Sequence, residues 1–188
     1  MAAIHGLIDG LPPNEVCVWE DEADINLNPK VGPDWTLPGA QREVPTPGRN
    51  VKRYFAAVMD AATDKLVWVR GERKHSGLFI ELLAKVLRAY PDAAVVHVVL
   101  DNYCAHGSRQ TRAWLDQFGQ RVRLHFLPPY DPDDNRIERK LWREVHANVT
   151  VNHRIGYIER LCDEVVGFLT RWNIRAGLRH GRELRAAI

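Results

Sequence analysis

Cysteine is scarce in this chain and falls in no pattern. Cys17, Cys104 and Cys162 form no CxxC pair and no even set. That excludes a disulfide framework and a thiolate zinc site, and leads us to expect reduced thiols in a cytoplasmic protein. Long apolar runs are missing as well, and the N-terminus lacks a secretory pattern, so neither a membrane span nor export is expected. The Asn148-Val149-Thr150 sequon is therefore read as a chance match. HExxH, Walker and GxGxxG signatures are absent, which argues against zinc proteases and nucleotide-cofactor enzymes. Internal repeats and low-complexity segments are also lacking.

What is present is a chain of 188 residues, 45% hydrophobic and 27% charged, enough for one domain with a proper core. Its net charge is only +2, but the charge is unevenly spread. Residues 1–35 carry seven acidic side chains and one basic; residues 36–135 carry 14 basic and 11 acidic; residues 136–188 carry 11 basic and six acidic. An acidic start and a basic end suit a metal site beside a polyanion track. A solvated surface with chance clustering accounts for the same counts.

The apolar pattern predicts the element order. Val16–Trp19 reads as a strand that ends at the acidic cluster Glu20-Asp21-Glu22. Residues 28–50, rich in proline and glycine, read as loop or irregular hairpin. Arg53–Met59 and Lys65–Arg70 read as strands joined by the polar turn 60–64, and 75–89 carries a helical apolar stripe. Ala94–Leu100 is a continuous, mostly β-branched run, as a central buried strand requires. A helix over 109–118, a strand over 122–127 and helices over 135–147 and 155–172 complete the order. A three-strand meander followed by alternating helices and strands matches an α/β fold: a ribonuclease H-like mixed five-stranded sheet flanked by helices.

Three carboxylates stand out. Asp21 follows the first strand, among Glu20, Glu22 and Asp24, where four acids in five residues call for a cation. Asp101 ends the β-branched strand, and open α/β sheets place ligands at the carboxyl ends of their strands. Glu138 lies on a helix. At about 100° per residue it falls inside the arc of Ile137, Leu141, Trp142 and Val145, whereas Arg136, Arg139, Lys140 and Arg143 share the opposite arc. A charge facing the core is costly unless a cation, a metal or a hydrogen-bond network holds it. The alternative is a capping box, with Asn135 as cap and Glu138 reaching back to its N–H. Two strand-end carboxylates and one on a helix suit Mg²⁺, a hard ion that takes oxygen ligands and keeps several waters.

Leu100-Asp101-Asn102 with His106 five residues after the aspartate is one motif. Residues 127–138, LPPYDPDDNRIE, followed by Trp142, are another; Asp21-Glu22, followed by Trp35 and Gly39, is the third. Together, over about residues 14–173, they resemble the DDE superfamily endonuclease domain of bacterial insertion-sequence transposases, relatives of the mariner group. The long motif downstream of LDN is specific, whereas Asp-Glu alone is weak. The chain departs from the family wording at Asp131, Asp134 and Arg136, where serine, leucine and proline are usual.

The resemblance implies a catalytic, metal-binding triad of Asp21, Asp101 and Glu138, holding two Mg²⁺ (or Mn²⁺) ions. It implies DNA as partner, through metal-dependent cleavage at a transposon end and attack of the freed 3′-hydroxyl on target DNA, typically at TA. Asn102, His106, Asn135, Arg136, Arg139, Lys140 and Arg143 are the candidate DNA contacts. For His106, His146 and His153, packing is the competing role; Trp19, Trp142 and Trp172 are assigned to the core. The expected layout is a linker remnant over 1–13, the catalytic domain over 14–175 and a basic tail over 176–188. No helix-turn-helix region fits ahead of Asp21. The expectation is therefore a truncated or split-frame protein in the bacterial cytoplasm, nucleoid-associated, working as a homodimer or with a missing N-terminal half. The alternatives are a catalytically incompetent DNA-binding or dimerising remnant that inhibits full-length transposase, and another ribonuclease H-like nuclease.

Overall fold

One strand organises the chain. In the computed structural model, which describes residues 2–40, 43–128 and 135–186, β1 (Glu15–Asn26) is the middle strand of five. It pairs antiparallel with β2 (Lys52–Asp60), which pairs antiparallel with β3 (Leu66–Gly71). On its other side β1 pairs in parallel with β4 (Val95–Leu100), which pairs in parallel with β5 (Val122–Phe126). The order β3-β2-β1-β4-β5 is the expected mixed sheet.

The expected end of the first strand was misplaced. β1 does not stop at the acidic cluster but runs through it to Asn26. Asp21 thus lies within the strand, paired with Ala57, and not at its end. The physical reason is the period of two: a strand sends Glu20 and Glu22 to one face of the sheet and Asp21 to the other. Acids adjacent in sequence are thereby separated, and the repulsion that would end the strand is relieved.

Each face of the sheet carries its own core. Trp19, Ala23, Ile25, Phe55, Met59 and Val99 pack on one face against Ile137, Leu141, Trp142 and Val145 and against the helix α5 described below. Val18, Ala56, Val58, Val96, Val98 and Leu100 pack on the other against α2 (Ser76–Ala89). His75 caps α2, accepting a hydrogen bond from the Leu78 N–H at 3.2 Å. Beside α2 lies α3 (Arg109–Phe118), whose Trp114 and Leu115 pack against the same core. Trp19, Trp142 and Trp172 are buried, as expected.

The chain's ends differ from expectation. Residues 1–13 are not merely linker: α1 (Ala2–Asp9) forms there and buries Ile4 in the first core. The last helix was expected over 155–172, with a separate tail from 176. It is instead a single helix of 29 residues, α5 (Ile158–Ala186), which runs through position 175. Ala176 is fully buried, which explains the continuation: the apolar stripe does not stop at Trp172. Segment 28–50 is irregular where described, with Gly39 and Gly48 at φ of 81° and 70°, a region glycine enters without steric cost. Asn152 secures the start of that segment, accepting from Gly32 N and donating to Gly32 O, both at 3.0 Å.

The helix expected over 135–147 is wound differently. A π-helical turn (Glu138–Trp142), a short α4 (Arg143–Val145) and a second π-helical turn (His146–Thr150) follow one another. Asp64, in the β2–β3 turn, ties this stretch down. Its carboxylate lies 2.6 Å from Lys140 Nζ, 3.3 Å from Arg136 and 3.6 Å from Arg179, and its carbonyl accepts from Trp172 Nε1 at 2.9 Å. Asp64 sits at φ 58°, a conformation that Asp and Asn tolerate better than most side chains. Asp64→Ala is expected to lower stability by about 1–3 kcal/mol in urea denaturation, and Asp64→Asn by less, because Asn retains the backbone preference.

Candidate active site

Asp21, Asp101 and Glu138 come from three elements that the fold brings to one place. Trp19 pairs with Val99 across the parallel β1–β4 pair; Asp21 lies two residues further along β1, Asp101 follows the last residue of β4, and Lys74 feels the charge of both. Glu138 arrives from the π-helical turn, and its side chain hydrogen-bonds Asp21. The path from β5 into that turn includes Pro129–Asp134, which lie outside the described residues, so the family departures at Asp131 and Asp134 do too.

The π winding changes how Glu138 is presented. An i→i+5 turn is wider than the α-turn assumed for the helical wheel. Accordingly, the Glu138 carbonyl accepts from the Arg143 N–H and not from Trp142. Ile137, Leu141, Trp142 and Val145 are buried as expected, but Glu138 is exposed at their edge, over Asp21. The capping-box alternative is only half realised. Asn135 Oδ1 accepts from the Ile137 N–H at 3.3 Å, while the carboxylate of Glu138 goes to Asp21.

Electrostatics distinguish the three acids. Burial pushes the Asp21 carboxyl up to about 9, and the Glu138 carboxylate beside it pushes the same way. Asp101 is held below the usual carboxylate range by its hydrogen bond from His106, with the Tyr103 N–H and Lys74 adding to the effect. The set is therefore one half-exposed ionised carboxylate, one buried acid raised by burial and by its neighbour, and one exposed acid bonded to it. These are oxygen donors only, and a hard divalent cation would supply the charge that Asp21 lacks.

Behind this site, on the opposite face of β1, lies a second polar cluster that sequence reading did not resolve. Glu20, Glu22 and His106 bring one donor atom each within 4.8 Å of one another. Glu20 is fully buried, and neither of its carboxylate oxygens has a hydrogen-bond partner among the described residues. Burial, and then Glu22, raise its carboxyl well above the usual range. Burial alone would lower His106, but its bonds to Asp101 and Glu22 prevail and lift it to about 10. Lys74 Nζ stands 3.2 Å from Glu22 and 4.1 Å from the centre of the Tyr103 ring. The signal available in sequence was strand alternation, which puts Glu20 and Glu22 on one face.

The seven candidate DNA contacts separate into three groups. His106 and Asn135 are buried and cannot meet DNA in this arrangement. His106 faces Asp101, and Asn135 donates to the Glu20 carbonyl at 3.3 Å, pinning the start of the π-helical stretch to β1. Arg136 and Lys140 are engaged with Asp64, and the Asn102 amide donates to the Leu127 carbonyl at 2.7 Å. Arg139, Arg143 and Arg175, with Lys140, line a cleft of about 460 Å³ between this stretch and α5. His146 and His153 are packing residues: the first bonds Thr150 Oγ1 at 2.7 Å, and the second accepts from the Ile155 N–H at 3.2 Å.

A mixed five-stranded sheet flanked by helices defines the class: a ribonuclease H-like domain. Comparison with known proteins gives the family. A model of the DDE superfamily endonuclease matches residues 16–162. The chain is 39% identical over 181 residues to an uncharacterised 39 kDa protein of insertion element IS630 from Shigella sonnei, a match covering 96% of this chain and 52% of that one. This chain belongs to the DDE superfamily endonuclease family. It spans about half the length of the curated relative it matches. The fold is also that of the Mos1 transposase. A paired-end complex with the left transposon end superimposes with a TM-score of 0.65 at 17% identity, covering 93% of this chain and 55% of that one. A Mos1 paired-end complex with Mn gives 0.62 at 19%, covering 85% and 51%. Among the described residues, no helix is long and apolar enough to cross a membrane.

Asp21 sets a testable pH dependence. An acid whose folded pKa lies near 9, against an ordinary 3.8, favours the folded state fully below about pH 4 and loses that contribution as pH rises towards 9. Glu20 and His106, both shifted upwards, slope the same way, so the contrast with a variant is diagnostic. Without divalent metal, the melting temperature of wild type is expected to fall between pH 5 and pH 9 more steeply than that of Asp21→Asn.

Proposed function

We propose that this chain is a transposase catalytic domain that cleaves and joins DNA strands with divalent metal ions held by Asp21, Asp101 and Glu138. One observation carries the proposal: Asp21 is buried and bonded to Glu138, on the strand that pairs with the one Asp101 follows. Three acids kept this close repel one another unless a cation or proton intervenes. The all-oxygen donor set suits Mg²⁺ or Mn²⁺.

Asp21, Asp101 and Glu138 would hold such ions, two in the proposed arrangement. When bound, the ions would activate the attacking oxygen and stabilise the leaving one in phosphoryl transfer. The chain's own contribution is placement. β1 and β4 hold two carboxylates on a rigid sheet. Asn135 anchors the third through the Glu20 carbonyl, and Asp64 steadies the helical stretch that bears it. Exposed Glu138 sits at the rim, where an incoming strand meets it. Arg139, Arg143 and Arg175 offer phosphates a basic cleft, which adds affinity without reading sequence.

The proposed substrates are the ends of the element and a target, with TA as the family expectation. Recognition of the ends is proposed to come from a helix-turn-helix half supplied in cis or in trans, and catalysis from a homodimer. The relative, about twice as long as the stretch it shares, supports a further half but says nothing of the dimer.

The test is Mg²⁺- or Mn²⁺-dependent cutting of DNA carrying the element's end. Asp101→Asn and Glu138→Gln keep shape and remove charge, and each is expected to lower cleavage more than about a hundredfold. Wild-type cutting by Asp101→Asn would exclude the assignment. Retained DNA binding in a wild-type chain that never cuts would favour the inhibitory remnant.

A further inference from the structure

His106 lies directly behind Asp101. Its Nδ1 is 3.1 Å from the Asp101 carbonyl and 3.2 Å from Asp101 Oδ1. The same Oδ1 accepts from the Tyr103 N–H at 2.8 Å. Among the described residues no donor reaches Oδ2. One oxygen of Asp101 is thus held from two sides, and the other is left for a ligand.

The imidazole is itself fixed. Its Nε2 stands 3.4 Å from Glu22 Oε1 and 3.5 Å from Glu20 Oε2. Lys74 holds Glu22 from outside. The ring packs against Phe79, with centroids 4.5 Å apart, and edge-on to Tyr103. The turn that carries His106 is pinned to two helices, through Thr111 Oγ1 to the Ala105 carbonyl at 2.7 Å and through Ser76 to Ser108 at 2.8 Å. A buried histidine with this many restraints, and none to solvent, can act only on what it touches.

We infer that His106 is a positioning residue: from the back of the sheet, braced by Glu20 and Glu22, it fixes Asp101 so that a single oxygen, Oδ2, faces the metal. The inference rests on the metal-triad reading above. It assigns a role to Glu20 and Glu22, the acids of β1 that the triad leaves unused. Glu20 is retained in the core because it limits where the imidazole can turn. Orienting partners of this kind are typically worth 10–100-fold in metal affinity.

Two variants separate positioning from packing. His106→Asn keeps a donor near the place of Nδ1 but loses the ring; His106→Phe keeps the ring but loses the donor. Mn²⁺ binding to the full chain, read by electron paramagnetic resonance alongside melting temperature, is expected to weaken about tenfold or more in His106→Phe. It should recover in part in His106→Asn, even if that variant melts lower. In cleavage, the Mn²⁺ needed for half-maximal rate should rise more than the saturated rate falls. If affinity follows melting temperature, with Phe binding better than Asn, the role is packing and the inference is overturned. It is likewise overturned if both variants bind as wild type while Asp101→Asn does not, a result that leaves the triad standing. Wild-type binding by Asp101→Asn would sink the triad and this inference together. Metal that persists in an Asp21→Asn, Asp101→Asn double variant and is lost on adding His106→Phe would make the Glu20–Glu22–His106 cluster a metal site in its own right, and would also overturn it.

Discussion

The alternation of side chains along β1 is the constraint on which the rest depends. A buried central strand has no solvent edge on which to leave a charge, yet this one carries Glu20, Asp21 and Glu22 in succession. The pleat divides them. Asp21 goes to the face where α5 and the π-helical stretch pack, and meets Glu138 there. Glu20 and Glu22 go to the face covered by α2, and meet His106 and Lys74. Each charge is costly where it stands: Lys74 offsets the cost for Glu22, whereas burial raises the carboxyls of Asp21 and Glu20. The two polar clusters are thus two sides of one strand, linked where Asp101 leaves β4 beside them.

The same arrangement explains why the site is rigid. Its acids are placed by β-sheet register, by a turn pinned to α2 and α3, and by a helical stretch tied to β1 and to the β2–β3 turn. Asn135 and Asp64 carry no proposed chemistry, but without them Glu138 would have no fixed approach to Asp21. Asp64 gathers Arg136, Lys140 and Arg179, cations that a reading of charge alone assigns to DNA. The cleft beside α5 is a narrower basic face, to which Arg143 and Arg175 contribute.

Much of this was legible from the chain. The five strands and the helices after them follow from apolar periodicity, because burial on one or both faces writes itself into residue order; the mixed sheet follows from their order by analogy with a known fold. The three carboxylates were recognisable because each stands where an unpartnered charge is costly, and because LDN and LPPYDPDDNRIE resemble a known family. Less was legible where several elements meet. β1 was cut short because a run of acids looks like the end of a strand until its two faces are known to be differently partnered. Glu138 was placed within the apolar arc because the wheel assumed α-helical winding, and π-winding is set by packing. His106 and Asn135 were offered to DNA because a polar residue near a motif looks exposed until its burial is seen.

The sequence by itself determined the element order, the two-sided core and the identities of the acids, since hydrophobic period and residue chemistry are local properties. Only the tertiary structure decided which acids share a face, which cations are already engaged and which oxygen of Asp101 stays open. Those are matters of distance between residues far apart in the chain, and burial and register, not order along the chain, fix them.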